Sequence, residues 1–149
     1  MTDEQYFVKE WLNRMYGVEQ VIEALIRKRE GIVGSMSGIG KYDASFIPAN
    51  TGENSSETKM LNYSELSDMI EKKRRELTQE DMLTLQVIDT LDGEDSEIMK
   101  AILIDRYLNH LPWPAVVENQ HYEKSRVNEL HAKALDKLYD KVSKEVKEA

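Results

Sequence analysis

The sequence predicts an all-α protein with two parts: an N-terminal antiparallel helical hairpin that carries a long Gly-rich loop, and a C-terminal helix-turn-helix bundle. Apolar residues near the N-terminus recur every three or four positions, as they do along one face of a helix. No stretch alternates apolar and polar residues for long enough to predict a strand. Asp92-Gly93 separates two helical patterns, so we expect a hairpin domain over 1–92 and a helix-turn-helix domain over 93–149.

The first arm of the hairpin is predicted from a single apolar stripe. Its members are Phe7, Trp11, Met15, Val18, Ile22 and Leu25. Gly31 is expected to end this helix, because glycine commonly follows the last helical residue. The segment 31–56 is rich in glycine and serine and also contains Pro48, so we expect a mobile loop there, within the hairpin that supplies assembly.

The second arm is predicted over 56–91, where Leu66, Met69, Ile70 and Leu77 form a narrow apolar stripe. Thr78 and Asp81 have the spacing of a weak capping box, so this segment could be one long helix or two. Two interpretations of the Trp11 stripe also stay open: the core of the hairpin, or a seam between two copies. We expect a homo-oligomer, with a dimer favoured, because a two-helix hairpin buries little by itself.

Composition limits the class of protein. The chain has 149 residues, of which 40% are hydrophobic, and it contains no cysteine. The absence of cysteine excludes disulfides, thiolate metal ligands and thiol catalysis. No apolar run approaches the ~20 residues that span a bilayer, and the charged residues of 1–10 do not resemble a signal peptide. A cytoplasmic protein of a bacterial host cell, without a membrane partner, is expected.

The charge distribution leaves room for nucleic acid despite a formal net charge of −8. The segment 79–110 has eight acidic residues against Lys100 and Arg106, whereas 121–149 has seven cationic residues against six acidic ones. Phosphate binding requires clustered cations. Binding to DNA is therefore expected only through a local surface in the C-terminal part.

Catalytic, cofactor and metal sites have no support in the sequence. Gly40-Lys41 is followed by Tyr42 and lacks the spacing of a phosphate-binding Walker loop. The three histidines are far apart, without the i, i+4 spacing of a helical metal site. Asp92, Glu94 and Asp95 lie where a helix begins, and carboxylates there favour the positive end of the helix dipole. We expect no enzyme activity, no cofactor and no metal.

The segment 98–138 carries the functional prediction. A buried helix is expected to end at 106–108, and a turn at 109–111 precedes a second helix opened by Pro112-Trp113-Pro114, since proline fits a first helical turn. That helix should stop near Gln120-His121. A third helix is expected from about 123–125. Its inward residues are predicted to be Val127, Leu130, Ala134, Leu135 and Leu138. A short helix, a tight turn and a longer helix form the helix-turn-helix plan.

The same residues resemble region 4 of bacterial sigma factors: Asp-Arg-Tyr-Leu at 105–108, Leu-Pro-Trp-Pro-Ala-Val-Val at 111–117, and Ser-Arg-Val-Asn-Glu-Leu-His-Ala-Lys-Ala-Leu-Asp-Lys-Leu at 125–138. More narrowly, they look like phage transcriptional activators of the RinA/ArpU type, and the N-terminal helix with its Gly-rich insert is also similar to that family. The resemblance implies a phage or prophage regulator that binds double-stranded DNA and activates late genes together with host RNA polymerase.

The third helix supplies the predicted DNA contacts. Its outward face is expected to carry Lys124, Ser125, Arg126, Asn128, Glu129, Lys133 and Lys137. Arg126 and Asn128 are candidates for reading base edges, because arginine suits guanine and asparagine suits adenine. Lysines at 124, 133 and 137 are expected to hold phosphates. The alternative is an ordinary solvated face with pairs such as Glu129–Lys133. His131 lies toward the inner edge and is expected to pack.

Two other functions remain open. A small terminase subunit that binds a phage packaging site also combines a helix-turn-helix with an oligomerising helical part. An acidic protein-binding module could instead capture RNA polymerase or a repressor without contacting DNA, and the net negative charge favours that alternative. The acidic residues of 79–105 are candidates for a polymerase contact, a hypothesis based on their excess alone.

Overall fold

A computed structural model describes residues 1–36 and 56–148, and every regular element in those ranges is helical, which confirms the all-α class. The helices are α1 (Asp3–Leu12), α2 (Tyr16–Met36), α3 (Ser56–Ile88), α4 (Ser96–Leu103), α5 (Trp113–Gln120) and α6 (Lys124–Glu148). A π-helical turn, Ile104–Leu108, continues α4. Within the described ranges, no helix is long and apolar enough to cross a membrane.

The chain forms two compact units whose limits differ from the expected division at residue 92. Unit 1 contains Met1–Met15 and Gln79–Ala149, and unit 2 contains Tyr16–Thr78. The reason for the difference is α1, which packs along α6 and contributes Val8 and Leu12 to the same core as the C-terminal helices. The first helix therefore belongs with the predicted helix-turn-helix domain.

Helix α1 is fixed at its start and against α6 by one side chain. The Thr2 hydroxyl accepts a hydrogen bond from the Gln5 amide, and the Gln5 side-chain oxygen accepts one from the Thr2 amide, both at 3.1 Å. This reciprocal capping box satisfies two amides that an isolated helix end leaves free. The Gln5 Nε2 also donates to the Asp136 carboxylate of α6 at 3.0 Å. Gln5 thus links the local cap to the long-range packing.

The expected continuous first helix is interrupted at 13–15. The Arg14 guanidinium lies 3.8 Å from the Trp11 ring centre, donates to the Trp11 carbonyl at 3.0 Å, and forms a 2.8 Å ion pair with Glu80. These contacts stabilise the turn. Trp11 is buried in the core of unit 1, so this residue lies neither in a hairpin core nor at a dimer seam, and the homo-oligomer stays a prediction.

The expected loop over 31–56 is wrong at its beginning and lies outside the described residues over 37–55. Helix α2 continues through Gly31 to Met36, because one exposed glycine costs a helix only ~1 kcal/mol relative to alanine. The second arm, for which one helix or two are predicted, is a single helix. Helix α3 runs without a break for 33 residues, and Thr78 does not start a new helix.

The core of unit 1 confirms the inward face predicted for the third helix. All five predicted residues of α6, from Val127 to Leu138, are at most 1% exposed. Met99, Ile102 and Leu103 of α4 pack in the same cluster, with Val116 of α5. The π-helical turn is closed by the Asn109 amide, which donates to the Ile104 carbonyl at 2.9 Å, and it places Tyr107 in this core.

Two glycines provide a paired test of the backbone. An added Cβ at Gly31 meets no described atom within 4 Å, and the residue is helical, so Gly31→Ala should stabilise α2 by about 0.5–1 kcal/mol. Gly93 has φ +87°, and a Cβ there would lie 3.2 Å from Lys137 Nζ, so Gly93→Ala should destabilise unit 1. Circular dichroism during urea unfolding measures both. A loss of helix in Gly31→Ala would contradict the position of Gly31 inside α2.

Candidate nucleic-acid interface

Helices α5 and α6 form a short helix, a tight turn and a longer helix in the predicted order. Pro112 occupies the N-cap of α5 with extended backbone, and its carbonyl accepts from the Ala115 amide at 3.0 Å. Pro114 sits in the first turn, where the missing N–H has no intrahelical partner. His121, in the left-handed region at φ 59°, ends α5, and α6 begins at Lys124. The local sequence thus accounts for both ends of the turn.

A buried cluster of aromatic rings joins these elements. The Tyr107 hydroxyl and His131 Nε2 are 2.6 Å apart and form a hydrogen bond. The Trp113 ring packs edge-on against the His131 ring, with centroids 4.7 Å apart. The Arg106 guanidinium lies 4.9 Å from the Trp113 ring centre and donates to the Leu111 carbonyl at 3.0 Å. The prediction that His131 packs inward is confirmed. The His131 side chain of α6 contacts both the π-helical turn and α5.

Burial determines the protonation of this cluster. Desolvation lowers the pKa of His131 to about 4, and the nearby positive charges of Lys9 and Arg106 act in the same direction. Burial also raises the pKa of the Tyr107 hydroxyl well above its usual value. Both rings are therefore neutral near pH 7, and their hydrogen bond has a structural role: it holds α6 in a fixed orientation.

The seven residues predicted to face DNA lie on the solvent side of α6. Six of them are exposed, and the Arg126 side chain is 40% exposed. Lys124, Asn128 and Lys133 form no ion pair or side-chain hydrogen bond with any residue in the described ranges. The exposed face of α6 therefore has two lysines and one side-chain amide whose hydrogen-bond donors are unpaired, and these groups can donate to phosphate oxygens and base edges.

The loop at 92–95 binds two of the predicted contact residues. The Asp95 carboxylate forms a 2.8 Å ion pair with Arg126, whose other amino group contacts Glu129 at 3.1 Å. Lys137 donates to the Asp92 carbonyl at 2.8 Å. Arg126 and Lys137 are eleven positions, about three helical turns, apart, so the loop extends along the same stripe of α6. We call this segment the acidic loop; Asp92 and Glu94 on it are exposed.

Asp95 was expected to act at the helix start, and the structure gives it a second role that the sequence did not indicate. It occupies the N-cap of α4 with φ 64°, but its carboxylate does not accept a hydrogen bond from the α4 amides and instead binds Arg126. The two residues are 31 positions apart, so no local pattern connects them. Asp95 therefore lies at the candidate interface, where its carboxylate is paired with Arg126.

Comparison of the chain with family models, curated proteins and solved structures finds no match in any of the three. Across 1–36 and 56–148, no group of three or more His, Cys, Asp or Glu side chains is placed to hold a metal ion. The site consists of cations and an amide on an exposed helix face, with carboxylates beside them.

Proposed function

We propose that this protein is a sequence-specific DNA-binding regulator of transcription, with α6 as the helix that enters the major groove. The observation that supports it most is the combination of an exposed N-terminal half of α6, carrying Lys124, Asn128 and Lys133, with a rigid buried side fixed by His131. A helix that reads bases must present polar side chains from a backbone held in place. The resemblance to RinA/ArpU-type activators extends the proposal to a phage or prophage late promoter and host RNA polymerase.

A library of random-sequence duplexes tests this function without knowledge of the target. Full-length protein is mixed with the library near physiological salt, and the retained duplexes are sequenced. We expect a short motif to be enriched, because a helix that reads base edges favours particular base pairs. Asn128→Ala should lower discrimination at one position of that motif by about 1 kcal/mol, since one base-reading amide is removed.

Lys144→Ala, an exposed substitution in the last turns of α6, is the control and should leave the motif unchanged. Retention of all duplexes without a motif would contradict sequence-specific reading. A motif that is identical in wild type and Asn128→Ala would contradict the role of this face of α6.

A second candidate function, a protein-binding module, is favoured by the acidic loop. Its Asp95 carboxylate pairs with Arg126, the arginine expected to read DNA, and the exposed Asp92 and Glu94 present further negative charge. A basic partner protein would use the same loop. The two candidate functions predict opposite effects of removing the charge of the acidic loop. Binding to DNA should become stronger, whereas binding to a basic protein should become weaker.

A further inference from the structure

Unit 2 carries cations that the candidate interface on α6 does not use. Helix α2 has Arg27 and Lys28, and helix α3 has Lys72 and Arg75, and all four residues are exposed. None of them forms an ion pair or a side-chain hydrogen bond with another residue of the described ranges. We call these four residues the basic surface. In unit 1, Arg14, Lys100 and Arg126 are paired with carboxylates, whereas Lys124 and Lys133 of α6 are not paired with any carboxylate in the described ranges.

One hydrogen bond joins α2 and α3 close to the basic surface. Arg29 of α2 donates to the Ser67 hydroxyl of α3 at 3.2 Å, and its guanidinium lies 5.5 Å from the Tyr63 ring centre. Arg27 and Lys28 directly precede Arg29. Arg75 lies eight residues beyond Ser67, about 12 Å along the helix axis. Both pairs of cations therefore lie within about 12 Å of this contact, measured along the axis of their own helix.

Helical geometry also groups the two cations of α3. Lys72 and Arg75 are three positions apart, so they project about 60° from each other and face the same side of the helix. The intervening Lys73 is half-buried and Arg74 lies 3.7 Å from Glu71, so these two are less available. An exposed pair of long cationic side chains without internal partners is suited to closely spaced anionic groups such as phosphates.

We propose that the basic surface binds the phosphate backbone of double-stranded DNA, independently of sequence; this inference rests on the proposed function. A chain with a formal net charge of −8 needs a local source of electrostatic attraction to bind DNA. On α6 part of that attraction is cancelled, because Arg126 is paired twice. The unpaired cations of unit 2 add to the attraction of Lys124 and Lys133 on α6. Their role is affinity and not the choice of sequence.

The test measures binding of the full chain to a fluorescent 40-base-pair duplex at several NaCl concentrations. The variant combines Lys72→Gln with Arg75→Gln. The slope of log affinity against log salt falls by ~0.9 for each phosphate that the protein no longer neutralises, so we expect it to become shallower by one to two. Base preference in the random library should remain that of wild type. The matched control combines Lys144→Gln with Lys147→Gln, which removes the same charge from exposed positions of α6.

The outcomes separate this inference from the proposed function. An unchanged slope in the basic-surface variant, or an equal change in the control, overturns the inference while Asn128→Ala still tests the reading helix. A shallower slope together with a motif unaffected by Asn128→Ala supports the basic surface and overturns the proposed function. Wild-type protein that binds no duplex overturns both. If poly-glutamate competes as well as DNA at equal charge, the partner is an acidic protein and the assignment to DNA is overturned.

Discussion

The protein should lose about 2 kcal/mol of stability between pH 7.5 and pH 5 through His131 alone. Burial lowers the pKa of this imidazole to about 4, whereas an unfolded chain titrates near 6.5. Between these values the unfolded chain binds a proton that the folded protein does not, so the free energy of unfolding falls as the pH falls. The full loss, below pH 4, reaches about 3 kcal/mol because one pKa unit is worth ~1.4 kcal/mol.

Urea unfolding at pH 7.5 and pH 5 measures this effect in wild type and in His131→Gln. Glutamine retains a group that can bond to the Tyr107 hydroxyl but does not titrate, so the variant should show a pH dependence smaller by about 2 kcal/mol. His121→Asn is the control. His121 is exposed and has φ 59°, which asparagine tolerates, and the pH dependence should stay as in wild type. Equal pH dependence in wild type and His131→Gln would contradict a buried neutral imidazole.

The helices around His131 could be predicted in part from the sequence. The inward face of α6 repeats with the period of a helix, and this period placed Val127, Leu130 and Leu138 in the core. The start of α5 was equally predictable, since Pro112 and Pro114 allow few alternatives there. The helical repeat of apolar residues does not indicate the hydrogen-bond partner of His131. Tyr107 is 24 positions away and reaches it through a π-helical turn that has no simple sequence signal.

The N-terminal half was predicted less well because long-range contacts override a local pattern. The apolar stripe continues in helical steps past Met15, but Arg14 binds Glu80, 66 positions away, and the chain turns there. At Gly31 the error is the opposite one: a helix end is predicted where the helix continues. A glycine is a common end signal, but its cost inside a helix is small, and α2 continues beyond it. Neither error affects the all-α class, which depends on the period itself.

The candidate interface was predictable in its residues and not in its electrostatics. Positions that alternate with the buried stripe must face solvent, so the exposed residues of α6 follow from the sequence. The ion pair between Asp95 and Arg126 joins two helices through a loop, and nothing in the local sequence of either indicates it. In the proposed function, this pair limits the positive charge that Arg126 presents to DNA.

Asp95→Asn should therefore strengthen DNA binding, by about 30-fold at low salt. The substitution removes a negative charge beside the proposed DNA surface and frees one amino group of Arg126 to bond to a phosphate or a guanine, while Glu129 still contacts the other. A charge-assisted hydrogen bond contributes about 1.5–3 kcal/mol, and 2 kcal/mol corresponds to ~30-fold. Asparagine also accepts the left-handed backbone at this position, φ 64°, so α4 should keep its start. Fluorescence anisotropy with the enriched duplex measures the change.

Asp89→Asn provides the matched control, because it removes the same charge from a carboxylate that is 82% exposed and paired with Lys100 instead of Arg126. It should change affinity several-fold less than Asp95→Asn. An equal gain in both variants would assign the effect to net charge, and the acidic loop would then have no special relation to α6. Weaker DNA binding by Asp95→Asn, with native helix content, would mean that the ion pair holds Arg126 in the orientation that reads DNA. In that case Asp95 is a positioning residue for the arginine and does not compete with DNA for it.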